Sequence, residues 1–191
     1  MKKIITFVLA ATMILSLAGC GSTKNENTES TEFASAEALL TSITETFKED
    51  EQFPIGGGDF DNQVMDKPGK FDISKVDEME AVLGLPAEQA EKIDGAASMV
   101  HMMNANTFTG GAYHLADGTK ATEFAETVKD SIMKKQWLCG MPDQLVIIDG
   151  GNGYVITAFG AEDIVGMFKD HTLEVLNGAE ILVEEQIVDN F

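Results

Sequence analysis

Three groups of side chains in this sequence have types and spacings that could do chemistry. Asp59, Asp61, Asn62 and Asp66 follow the triplet Gly56-Gly57-Gly58. Carboxylate and carboxamide oxygens closely spaced on a glycine-rich loop are the ligands a Ca²⁺ ion takes. The run lacks the glycine and the closing glutamate of an EF-hand loop, and the competing reading is a solvated acidic loop. Met99, His101 and Met103 alternate along a short apolar stretch. Residues two apart share a strand face, and thioether sulfur with imidazole suits Cu(I). Such neighbours stand ~6.8 Å apart along the strand, so the methionines would have to lean together. The competing reading is core packing, because methionine fills irregular gaps. We expect packing, with Val100 and Met102 buried and His101 at most partly exposed. His114 and His171 add no short metal-ligand spacing. The third group is the two cysteines, Cys20 and Cys139. Cys139 follows the end of a predicted helix, where the dipole disfavours a thiolate, so it reads as a structural thiol.

Cys20 has a different context. Lys2 and Lys3 precede an apolar run from Ile4 to Leu17, and Ala18 and Gly19 lead into the cysteine. A basic start, a short apolar core and a small-residue exit read as an export signal, and the run is shorter than the ~20 apolar residues that span a bilayer. Leu17-Ala18-Gly19-Cys20 resembles the lipobox of bacterial prolipoproteins. The resemblance implies cleavage between Gly19 and Cys20 and a diacylglycerol group covalently attached to Cys20, with no other cofactor. It places the mature chain on the extracytoplasmic face of the cell membrane. Two acyl chains give durable attachment where one is marginal. Residues 20–34 read as a polar tether with a mean span of ~20 Å.

The chain carries a formal charge of −19, and loss of Lys2 and Lys3 with the signal would make it −21. Nucleic acid is excluded as a partner, since affinity there rests on cationic neutralisation of phosphates. With Cys20 lipidated, Cys139 has no partner for a disulfide.

These groups must be positioned by elements that the periodicity predicts. Ala36, Leu39, Leu40, Ile43 and Phe47 recur at helical spacing after a cap at Ser35. Residues 50–70, with Pro54, Pro68 and the glycine triplet, read as loop. Two short helices follow, one with Ser74 as its expected cap and one starting at Pro86. Two predicted strands, 97–103 and 107–115, precede the clearest helix, 119–137. Two more, 145–148 and 154–159, flank Asp149-Gly150-Gly151-Asn152-Gly153, which reads as a hairpin turn and not a phosphate cradle. A helix over 161–176 ends the pattern, and residues 179–191 read as an edge strand or a loose tail. The expected fold is α+β: a four-stranded antiparallel sheet of two hairpins, helices mostly on one face, preceded by short helices. Residues 1–19 form the signal, 20–34 the tether and 35–191 a single domain.

The element order over roughly 35–176, and the run from Leu85-Pro86 through Met102-Met103-Asn104, resemble short lipoproteins of Gram-positive bacteria grouped as a domain of unknown function. That resemblance implies no activity. The function expected is a membrane-anchored, non-enzymatic binding or accessory module that meets an envelope protein. The alternatives are a small envelope enzyme such as a wall-acting hydrolase, or a lipoprotein binding calcium or copper.

Overall fold

Leu145 to Ile148 and Tyr154 to Phe159 are nearly unbroken apolar runs. A strand that is apolar on both sides has to be covered on both sides. In the computed structural model, which describes residues 32–137 and 140–188, it is. The signal, Cys20, residues 21–31, Cys139 and residues 189–191 lie outside the described residues. The elements are α1 (Ala36–Thr44), β1 (Ile55–Gly57), β2 (Val64–Met65), β3 (Gly69–Phe71), α2 (Val76–Leu83), β4 (Ile93–His101), β5 (Phe108–Leu115), α3 (Ala121–Lys134), β6 (Gln144–Gly151), β7 (Tyr154–Gly160), α4 (Glu162–Val175) and β8 (Glu180–Gln186).

The α+β class and the antiparallel pairing are as expected, and both hairpins form. The sheet, however, has eight strands and not four, in the order β2-β1-β4-β5-β7-β6-β8, with β3 also paired to β4. The extra strands come from residues 50–70 and from the tail. β1, β2 and β3 are two or three residues long, too short to show a period of two. β8 pairs along β6 from Gln144↔Gln186 to Asp149↔Glu180, so residues 180–186 are an edge strand and not a loose tail.

The helices also cover both faces, where one was expected. Ala36, Leu39 and Ile43 of α1 and Val165 and Phe168 of α4 pack with Met99, Phe108, Val146 and Ile156. Met79 and Leu83 of α2 and Phe124, Val128 and Ile132 of α3 pack with Tyr113, Leu145, Ile147 and Val155 on the other side. Adjacent strand residues therefore enter different cores, as period-two geometry requires.

Local signals explain the element ends. Ser35 Oγ accepts from Ala38 N at 3.1 Å and caps α1. Ser74 does not cap α2; it donates its hydroxyl to Asp72, and the helix starts after Lys75. Gly84, at φ 69°, stops α2 in the left-handed conformation that glycine adopts without strain. Asn152 and Gly153 both have positive φ, 51° and 80°, as a two-residue hairpin turn demands.

Gly57 is required for a different reason. A Cβ there would lie 2.2 Å from Gly69 N and 2.5 Å from the Pro68 carbonyl carbon, both rigid backbone. Gly57→Ala should therefore destabilise the fold by about 1–3 kcal/mol or more. Gly166, inside α4, has nothing within 4 Å of its Cβ position. Gly166→Ala should stabilise by about 0.5–1 kcal/mol through helix propensity. Chemical denaturation midpoints moving in opposite directions would bear out the pair; equal shifts would not.

Candidate functional site

The acidic loop folds inward. Asp59 is 1% exposed. Its carboxylate accepts from the backbone N–H of Asp61 (3.1 Å), Asn62 (3.2 Å) and Asp72 (3.2 Å), and from Asn62 Nδ2. Lys75 Nζ contacts Asp59 Oδ1 at 2.5 Å and Asp61 Oδ2 at 2.6 Å, with Glu78 at 3.8 Å. The structure thus gathers Asp59, Asp61 and Asn62, and the cation at their centre is the Lys75 ammonium. That cation sits just ahead of α2, at the helix end where positive charge is disfavoured, and the carboxylates offset the conflict. Asp66 stands apart, exposed, at φ 58°, its N–H donating to Ile55 O. Burial pushes the Asp59 carboxyl up, but Lys75, Asn62 and the backbone donors together hold it well below the usual carboxylate range. Asp59 and Asp61 in turn raise Lys75.

The candidate copper residues occupy three environments. Met99 is fully buried in the α1/α4 core, and Met103 is 82% exposed in the turn after β4. Half-buried His101 stacks on Phe53 with centroids 5.4 Å apart, and its Nδ1 accepts from Met103 N at 3.2 Å. The expectation for the opposite set is overturned: Val100 is half-buried and Met102 is 45% exposed. Val100 opens onto a groove, and Met102 has already left the strand. Among the described residues no three His, Cys, Asp or Glu side chains gather as a metal set.

The other histidines are tied into the frame. His171 in α4 contacts Thr46 Oγ1 and Glu51 Oε2, each at 2.9 Å, which joins α4 to the segment after α1. His114 pairs with Asp94 and packs on Tyr154 at the far end of the β4–β5 hairpin. The Tyr154 hydroxyl donates to Phe33 O at 3.1 Å, and the Phe33 ring meets Tyr154 edge-on at 6.3 Å. This contact fixes where the chain joins the domain.

At the opposite end of the hairpin lies a groove of about 450 Å³. It opens between the loop after β1, the last turn of α2, the β4–β5 turn and the segment after α3. Phe60, Val82, Val100, Trp137 and Phe159 supply its apolar walls, and Gln63, Asn104, Asn106 and Gln136 its carboxamides. Lys135 lines it too, donating to Ala81 O and lying 5.2 Å from the Trp137 ring centroid. Burial lowers the Lys135 pKa from its ordinary value. Trp137 packs on Phe159 at 5.5 Å, and its buried Nε1 has no hydrogen-bond partner among the described residues. Phe60 is 73% exposed. These residues escaped the sequence reading. An aromatic in a polar loop (Phe60) and the chain's single tryptophan beyond a helix end were the two signals available.

No family model, curated protein or solved structure matches this chain. No described helix is long and apolar enough to cross a membrane.

A carboxyl depressed on folding contributes stability that is present above its unfolded value, near ~3.9 for Asp, and is lost as the pH falls toward the folded one. The melting temperature should therefore fall on acidification below about pH 4. Glu51, held at about 2 by the Lys48 backbone N–H and ammonium, acts in the same direction. Asp59→Asn should melt lower than wild type at neutral pH, and the gap should narrow toward about pH 2. Thermal unfolding followed by circular dichroism checks this, and a gap that stays constant with pH would contradict it.

Proposed function

We propose that this chain is a lipid-anchored, extracytoplasmic binding domain of the cell envelope, non-enzymatic, with its groove turned away from the bilayer. The anchor reading rests on Leu17-Ala18-Gly19-Cys20. The binding reading rests on the groove. Among the described residues, no carboxylate lines the groove. Its apolar walls with a few polar groups, and its volume, fall within the ~300–1,000 Å³ of ligand sites.

One observation carries the orientation. The chain joins the domain at Phe33 and Tyr154, beside the Gly95↔His114 pair, and the groove begins at the Val100↔Thr109 pair of the same hairpin. The separation along β4 is ~17 Å. The attachment point and the groove thus lie towards opposite ends of the β4–β5 hairpin.

The full chain and Cys20→Ala should be compared by fractionation. The wild type should partition with membranes as a processed chain. The variant should be released or should retain its signal. A variant that remains processed and membrane-bound would overturn the anchor reading.

A further inference from the structure

We propose that the groove takes an extended, uncharged stretch of polypeptide with apolar side chains. The inference rests on the groove being a binding site and is independent of the anchor.

Charge comes first. The chain is strongly acidic, with 32 Asp and Glu residues, yet no carboxylate lines the groove. The one cation among the described lining residues, Lys135, already donates to Ala81 O in the last turn of α2 and follows the end of α3. Helix C-termini carry partial negative charge, so the ammonium is answered locally. Glu80 also acts on Lys135, so the lining offers no unanswered charge for a charged body to pair with.

Hydrogen bonding narrows the class. Gln63, Asn104, Asn106 and Gln136 each carry a donor and an acceptor, the same pair that a peptide group carries. Asn106 spends a donor on Gly140 O, and Asn104 spends its oxygen on Asn106 N. The Asn106 oxygen and the Asn104 amide nitrogen remain to face a ligand. A hydrocarbon chain would desolvate these groups and leave them unpaired. A polypeptide backbone pairs with them while its side chains meet Phe60, Val82 and Val100.

Trp137 is the only tryptophan of the chain, so its emission reads the site directly. The purified full chain is titrated with a blocked, uncharged heptapeptide alternating Phe, Leu or Val with Ser or Asn. We expect a saturable change in emission, at least tenfold tighter than with the same peptide carrying glutamates at the polar positions. Phe60→Ala, a change at an exposed position that should leave folding intact, should weaken binding at least fivefold, and Cys20→Ala should not alter it. Saturation by decanoate or by the glutamate peptide, with no response to the neutral one, would overturn the peptide assignment and leave the binding reading standing. An emission change that tracks protein concentration alone would assign the groove to a second copy and overturn the proposal likewise. No response to any probe would overturn both readings, whatever the fractionation of Cys20→Ala shows.

Discussion

The central strands of this domain are buried on both faces, and most of the architecture follows from that. Every residue of β7 is buried, from Tyr154 to Gly160. With helices above and below, the strands have no face on which to display chemistry. Two buried polar residues of the sheet are small and internally satisfied: the Ser98 hydroxyl donates to Gly58 O and accepts from Gly58 N, and Thr109 donates to Ala105 O. Space is shared as tightly. A Cβ on Gly110 would meet Met99 Cγ at 3.0 Å and the Phe108 ring at 3.1 Å, so the missing side chain of one strand makes room for the large ones beside it. What the faces cannot offer has to come from strand ends and turns, and the groove is built there from five separate segments.

The same constraint marks how far the fold was legible. The runs at 145–148 and 154–159 lack polar alternation, which is the pattern of a doubly covered strand. The hairpin turns point instead to antiparallel pairing, where one solvated face is common. The expectation of one-sided helices followed the second signal, and the first was the better guide. The glycines of residues 56–58 were read as loop. Gly56 and Gly57 form part of a strand, and Gly57 is glycine because the chain at Pro68 and Gly69 presses against it. Crowding between segments distant in sequence leaves no local trace.

The site was less legible than the fold. The acidic loop was visible as a cluster of oxygens, but its cation is a lysine 16 residues further on, placed by the start of a helix whose cap was itself misassigned. Alternation at Met99, His101 and Met103 suggested one shared face. The strand ends at His101, so the third residue follows a turn and not the pleat. The groove residues sit mostly in turns, where no period exists to expose them. Of these, only an aromatic surrounded by aspartates, and a lone tryptophan next to a helix end, stood out from their surroundings.

The pairing of β8 with β6 bears on how the chain assembles as it emerges. The hairpin of β6 and β7 can close as soon as Gly160 is free, and α4 can fold onto it. Until residues 180–186 follow, β6 presents an open edge of unpaired backbone groups carrying Leu145, Val146, Ile147 and Ile148. An apolar edge of that kind is a template for pairing with a neighbouring chain. β8 ends that interval, and it brings Glu180, Glu184 and Glu185 to the rim. The strand that completes the sheet thus converts its stickiest border into a repelling one, so the hazard belongs to the nascent chain and not to the finished protein.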